Sequence, residues 1–493
     1  MNQTTNHTCT YDSGTVISVA NNIVTIEGLY STQFRTVVYI GENRSVALVL
    51  SLDLDCVRAV VIGTTNTIQS GDKVVGYNEQ LKVPVGKELL GRVVDGIGNP
   101  LDDLILSTTK SDYVYKPCAP LVDRSTICNP LLTGIKMIDY LFPIGKGQRE
   151  LIVGNKSVGK TQIAIDTIIA QRDANVKCIL CLIGQPLSKA NRTIDMLRQY
   201  NCLDYTTVVC SYSSDHPMLV ALTPFAGTTM GEYFMEHGED ALIVYDDMQQ
   251  YAWAHRATSL LCKENPGRES YSGNLFFSFA SLLERSACVS EKYVESKSGV
   301  KDRVGSLTAI PIVEIQNDDV SSYVSTSLIS IADGQLLISS EKFQKNIMPA
   351  INVGLSVSRV GSDARDKAFS HYVKDMKYIL SQYEDRLKNS VLSSSSSDDD
   401  IIVGRNLTSL LEQEPNAPLT YIQLLLSLVI TKSSVFKEIK QAEVKEFVVF
   451  LLNHIKDNYG SIYNHMLSSK KELESICDIN LVIEESLNKF RLA

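Results

Sequence analysis

The chain has 493 residues, a formal net charge of −9 and 44% hydrophobic residues. That length accommodates two or three domains at ~100–200 residues each, and the apolar content excludes global disorder. The acidic balance advertises no general polyanion-binding surface, which argues against a nucleic-acid partner. The start, Met1-Asn2-Gln3-Thr4-Thr5-Asn6, is polar and lacks the basic and apolar regions of a signal peptide. The 11 cysteines therefore read as reduced core residues. Apolar runs such as Leu424 to Ile430 are too short to span a bilayer, so membrane association is expected only through partners.

From Thr10 to about Leu81 the pattern is β throughout. Gly14–Val19, Ile23–Ile26, Val37–Ile40 and Ala59–Ile62 are β-branched runs separated by Asn21-Asn22, Gly41-Glu42-Asn43 and Gly71-Asp72. Short strands at close spacing predict a small closed barrel, placed here at residues 1–84, with a structural or assembly role. Glycine and proline density from Val83 to Leu101 marks entry to a second domain, 85–362. Within it β-runs alternate with helical stretches, the pattern of parallel strands joined by crossover helices. Strands are expected at Glu150–Val153, Val176–Ile183, Thr206–Cys210, Ala241–Tyr245 and Ser306–Ile315.

The informative stretch is Gly154-Asn155-Lys156-Ser157-Val158-Gly159-Lys160-Thr161, which fits the phosphate-loop pattern Gly-x4-Gly-Lys-Ser/Thr. An apolar strand precedes it, and Ala164, Ile165, Ile168 and Ile169 recur behind it at helical spacing. Backbone N–H groups of such a loop, with the positive end of the new helix, suit a triphosphate. Lys160 would reach the outer phosphates and Thr161 would hold Mg²⁺. The strand Ala241–Tyr245 ends in Asp246-Asp247, and Asp246 is the carboxylate expected to hold the metal through its water shell. One Cys-x-x-Cys, Cys178 to Cys181, has neither polar surroundings nor a second ligand pair and reads as buried strand rather than a zinc or redox site. His255, beside Trp253, reads as structural.

Beyond about Ser362 the chain turns helical, giving a bundle at 363–493. Ala368, Tyr372, Met376, Ile379 and Leu380 fit one face, as do Ile422, Leu425, Leu426 and Val429. Ser393–Ser397 with Asp398-Asp399-Asp400 reads as a surface loop at 393–400, with phosphorylation as a second reading.

These residues together resemble the alpha subunits of the F-type ATP synthases, which are hexameric rotary ATPases. The likeness runs from about Gly14 to Leu426. It is carried by Thr133-Gly134-Ile135-Lys136, by Ile144–Glu150 leading into the phosphate loop, and by Pro266-Gly267-Arg268-Glu269 followed by Leu282-Leu283-Glu284-Arg285. Gly305–Ala309, Ser330–Gln335 and Pro349–Arg359 continue it. The resemblance implies an α/β P-loop NTPase (RecA-like) core between a β-barrel crown and an α-helical bundle, with ATP or ADP and Mg²⁺ as ligands. It further implies an alternating hexamer with beta subunits around a central rotor shaft. A peripheral stalk and a membrane sector translocating H⁺ or Na⁺ would complete the complex. The location implied is peripheral, on a bacterial, mitochondrial or thylakoid membrane, facing cytoplasm, matrix or stroma.

One residue bears on whether this chain hydrolyses ATP itself. Attack by water needs a carboxylate to orient it, and beta-type subunits supply a glutamate after the strand that follows the loop helix. Here that place reads Ile183-Gly184-Gln185-Pro186, and Gln185 is no base. Arg359 matches the arginine that alpha subunits lend to the neighbouring beta site, with Ser330 and Asp333 lining the same interface. Such fingers are worth ~10³–10⁵ in rate. Asn155, Lys156, Ser157 and Val158 replace the family's usual Asp-Arg-Gln-Thr, and Met348 stands where an arginine is usual. Gln413 keeps one of two glutamines that flank the adenine, but Pro415 replaces the other, so weak nucleotide binding is expected. Two alternatives stay open. A self-sufficient hexameric secretion or export ATPase would need a glutamate at Gln185, and an RNA-translocating hexameric motor would need basic loops.

Overall fold

The computed structural model describes residues 12–63, 67–102, 104–388, 398–433, 435–459 and 479–492. Six strands form a closed barrel: β1 (Asp12–Ala20), β2 (Ile23–Glu27), β3 (Thr36–Ile40), β4 (Ser45–Leu52), β5 (Val57–Val61) and β6 (Lys73–Gln80), in the order β1-β2-β5-β4-β3-β6. All pairings are antiparallel, and β1 closes on β6 with Asp12 opposite Gly76. Alternate residues fill the interior: Val24 and Ile26, Val38 and Ile40, Ala47 and Val49, Ala59 and Val61. Gly14 makes the tight β1–β2 crossing possible, because a Cβ there would lie 2.6 Å from the Glu27 carbonyl oxygen.

The chain divides into two compact units, each described by itself. The first comprises Met1–Leu121, Cys178–His237 and Ile243–Ser286. It holds the barrel and a parallel array in which Thr206–Tyr212 lies between Lys177–Gln185 and Val93–Val94. The helix Pro217–Glu236 is buried along most of its length. Gly227 of that helix meets Cys181, whose sulfur would lie 2.2 Å from a Cβ at Gly227. Cys178 and Cys181 are both fully buried, and burial pushes the Cys181 thiol far above its usual range, so this Cys-x-x-Cys is packing rather than chemistry. The largest buried side chain, Arg285, forks onto Glu232 at 2.6 and 2.8 Å and donates to the Val114 carbonyl at 2.8 Å.

The second unit comprises Val122–Lys177, Gly238–Leu242 and Ala287–Ala493. Here Glu150–Gly154 runs parallel to Gly305–Glu314 on one side and Gly334–Ile338 on the other. Val357–Ser358 pairs antiparallel on the outside of Gly334–Ile338. Strand Asp240–Asp246 begins in this unit and ends in the first. Each expected strand therefore forms to within two residues, while Val93–Val94, Gly334–Ile338 and Val357–Ser358 are additional.

The C-terminal region is helical: Lys367–Val373, Met376–Lys388, Asp398–Leu411, Tyr421–Ile430, Val444–Asn458 and Ile479–Leu492. The apolar face at its start differs by one position from the expected one. Phe369 and Val373 are buried with Met376 and Leu380, while Ala368 and Tyr372 are half-buried, because the helix breaks after Val373 and resumes at Met376. Ile422, Leu425, Leu426 and Val429 are buried as expected. A helix begins at Asp398, so the aspartates are not loop; Ser393–Ser397 lie outside the described residues. Among the described residues no helix is long and apolar enough to cross a membrane.

The helical domain is tied to the segment before the phosphate loop. Lys136 donates from Nζ to the Leu410 carbonyl at 2.5 Å and to the Glu412 carbonyl at 3.2 Å. Tyr140 donates its hydroxyl to the Leu424 carbonyl at 2.7 Å. Asp139 holds the turn before them, accepting from Thr133 N and Oγ1 at 2.9 and 2.8 Å and from Gly134 N at 2.9 Å. Burial nonetheless pushes its carboxyl up to about 7. Between an unfolded value of ~3.9 and about 7, the folded state holds a proton the unfolded state lacks, so stability falls as pH rises through that window. Asp139→Asn should be less stable by ~1–3 kcal/mol, since its amide cannot accept from Gly134. The gap to the wild type should narrow as pH rises from 4.5 to 7.5, read from ~pH-matched urea or thermal midpoints; a constant gap contradicts the raised carboxyl.

Candidate functional site

In the second unit the phosphate loop leaves strand Glu150–Gly154 and enters the helix Lys160–Ala170. Ser157 and Gly159 have φ of 60° and 92°, left-handed values that turn the loop tightly. Lys160 is buried, donating from Nζ to the Gly154 carbonyl at 2.9 Å and to the Asn155 carbonyl. Its ammonium thus lies across the mouth of the loop where outer phosphates would be met. Asn155 is fixed from outside. Its amide donates to Ser340 Oγ at 2.8 Å, and its carbonyl oxygen accepts from Asp318 N at 3.0 Å. Lys156, Ser157 and Thr161 complete the loop, and of these the pattern fixes only Thr161.

Beside the loop lies a cleft of about 210 Å³ with apolar walls from Val158, Ile163, Phe343, Met348, Pro349 and Pro415. Gln413 also lines it, but its side-chain amide is committed to backbone. It accepts from Lys136 N at 3.1 Å and donates to the Gly134 and Ala417 carbonyls, both at 2.8 Å. Asp166 faces the same cleft. It accepts from Gln162 Nε2 at 2.8 Å and Asn416 N at 2.9 Å, and burial raises its carboxyl to about 6. The cleft suits a planar base by shape, with little hydrogen bonding left to Gln413.

In the first unit Gln185 ends its strand beside Asp246, both buried. Gln185 Nε2 donates to the Asp246 carbonyl at 3.1 Å and to Asp246 Oδ1 at 3.3 Å. Lys189 Nζ lies 3.6 Å from Asp246 Oδ2. Asp247 caps the following helix, accepting from Gln250 N at 2.8 Å. The amide at position 185 is therefore a donor matched to a carboxylate.

Ser330, Asp333 and Arg359 all lie in the second unit. Asp333 is held by Arg149 in a fork, Nε at 2.9 Å and Nη2 at 2.7 Å, with Arg149 N at 3.0 Å besides. The Asp333 carbonyl accepts from Arg359 N at 3.0 Å. Arg359 itself is exposed, and its guanidinium forms no ion pair among the described residues, although its charge acts on the buried Glu150 carboxyl. Ser330 is exposed and donates to the Thr326 carbonyl at 2.8 Å.

Comparison with known proteins agrees with this architecture. Residues 134–358 match the nucleotide-binding domain of the ATP synthase alpha/beta family, and residues 366–487 match the C-terminal domain of the ATP synthase alpha/beta chain. The chain is 41% identical over 463 residues to ATP synthase subunit alpha of Wigglesworthia glossinidia brevipalpis, covering 91% of this chain and 89% of that one. It is 42% identical over 488 residues to subunit alpha of Ehrlichia ruminantium (strain Gardel), covering 97% and 94%. The subunit alpha of Cupriavidus necator is 39% identical over 466 residues, covering 93% and 91%. The chain belongs to the ATP synthase alpha/beta family.

As a member of the ATP synthase alpha/beta family, the chain carries a closed barrel, a nucleotide-binding domain and a C-terminal helical domain. Sequence reasoning missed Gln148 and Glu150, which the structure buries beside Ser358. Their polar character immediately before an apolar strand was the available signal. It also missed Asp166, Gln162 and Phe343, which the cleft brings together from distant positions.

The Gln185–Asp246 pair generates a prediction. Gln185→Glu would set a carboxyl, in place of a donor, 3.1–3.3 Å from two Asp246 oxygens in a buried site. Burial and Asp246 would both raise its pKa, so its folded form is favoured at low pH and loses stability as pH rises. Relative to the wild type, the variant should lose at least ~1–3 kcal/mol between pH 5 and 8 in denaturant titrations. Equal stability at both pH values would contradict the donor role.

Proposed function

We propose that this chain is the non-catalytic, alpha-type subunit of an F-type ATP synthase head. In this reading it binds ATP or ADP at its own phosphate loop and lends Arg359 to the catalytic site of an adjacent beta-type subunit. The observation that carries the reading is the exposed Arg359 that forms no ion pair among the described residues, on a backbone held by Asp333. An arginine held so close to Asp333 yet not paired with it is poised for charge arriving from outside the chain. Gln185 supports the non-catalytic half, because an amide already donating to Asp246 has no basic site with which to take a proton from water.

The residues fit a nucleotide. Gly154, Asn155, Lys156, Ser157, Val158, Gly159, Lys160 and Thr161 would hold the phosphates, with the apolar cleft beside Val158 for the base. Thr161 would ligate Mg²⁺ directly; the ion would neutralise phosphate charge and order the triphosphate. With the base held by shape and Gln413 committed elsewhere, binding at this site is expected to be weak.

The partners in this reading are beta-type subunits alternating in a hexamer, a central rotor shaft, a peripheral stalk and a membrane sector moving protons. The complex would sit peripherally on an energy-transducing membrane, coupling ATP synthesis or hydrolysis to ion flow. Names of the relatives support this placement.

Co-purification tests it: tagged chain should bring down a beta-like subunit in a stable complex. Within that complex Arg359→Lys should lower ATP turnover by ~10³–10⁵ while leaving assembly intact; near-normal rates would sink the finger. The purified chain alone should not turn over ATP. In a fluorescent-nucleotide titration its Mg²⁺-dependent binding should be weak, and tight binding would overturn that part.

A further inference from the structure

Arg359 can act on a neighbour only if its backbone is aimed, and the residues around it show how. Ser358 precedes it on the short edge strand. Ser358 Oγ donates to the Pro143 carbonyl at 2.8 Å and accepts from Gln148 Nε2 at 3.0 Å. The same Gln148 amide donates its other hydrogen to Glu150 Oε2 at 2.8 Å, while its carbonyl oxygen accepts from Gly145 N at 2.8 Å. Gln148 is fully buried, and both amide hydrogens are used. An acceptor must face Gly145 while two donors face Glu150 and Ser358, a combination that only a side-chain amide supplies here.

The surroundings leave the bracket no slack. A Cβ at Gly361 would lie 1.7 Å from the Pro143 carbonyl oxygen and 2.4 Å from Ser358 Oγ, and one at Gly334 would lie 2.2 Å from Glu150 Oε2. Burial pushes the Glu150 carboxyl well above the usual range, and the positive charge of Arg359 works against that shift. On the other side Arg359 N is held by the Asp333 carbonyl at 3.0 Å, with Asp333 itself forked by Arg149.

We propose that the buried amide of Gln148 is a positioning residue that aims Arg359, acting through Ser358. The proposal rests on the reading of Arg359 as an arginine finger. Rate acceleration by a finger depends on placement, and a displacement near 1 Å costs ~10²-fold.

The test is a double-mutant cycle on ATP hydrolysis by the complex assembled with the beta-type subunit, using Gln148→Met, Arg359→Ala and both together. Gln148→Met keeps length and loses all three hydrogen bonds. It should lower kcat by ~10–100-fold with KM little changed, and should add no further loss in the Arg359→Ala background. A kcat at the wild-type value, or an equal loss in both backgrounds, overturns the positioning role. If Arg359→Ala itself leaves turnover unchanged, the finger reading falls and this inference falls with it. Should Gln148→Met fail to assemble, Ser358→Ala removes only the hydroxyl's two bonds, to Gln148 and to the Pro143 carbonyl; it should show the same background dependence, and its absence there overturns the proposal.

Discussion

A guanidinium withdrawn from water must find its counter-charge within the fold, because the desolvation cost is otherwise several kcal/mol. That constraint sorts the three informative arginines of this chain. Arg285 is sunk onto Glu232, and Arg149 forks onto Asp333. The second pair matters most, because it joins the residue before the phosphate-loop strand to the turn that starts the neighbouring strand. Through the Asp333 carbonyl it also fixes the backbone of Arg359. One arginine is thus spent internally so that another is presented outward, and both lie beside the strand that ends in the phosphate loop.

The two sides of the cleft beside the phosphate loop are built on different physics. The loop side is electrostatic, with a buried ammonium and a helix start. The opposite side is apolar and shaped by Val158, Phe343, Met348, Pro349 and Pro415. The Gln413 amide clips three backbone groups together.

Much of this was legible in the residues, and the reason is locality. The phosphate loop declares itself because its glycines, lysine and threonine act within eight consecutive positions. Asp246 and Gln185 are legible because each ends an apolar run. In the barrel, β4 and β6 escaped notice since Ser45–Leu52 is a nearly continuous apolar run and Lys73–Gln80 frays into polar residues. What sequence could not reveal was partnership at long range. Gln148 meets Ser358 across 210 positions and Gln413 meets Gly134 across 279, and no spacing rule connects such residues. The one-position offset at Phe369 and Val373 has a related cause, since a break between two helices resets the phase of the pattern.

The closure of β1 on β6 has a consequence for how copies of such a chain can associate. A sheet with an open edge invites recruitment of another strand through exposed N–H and carbonyl groups. The barrel has no such edge, so it cannot be extended by β-augmentation. Contacts made by its strands must therefore be side-chain contacts, which can change residue by residue without disturbing the backbone that supports them.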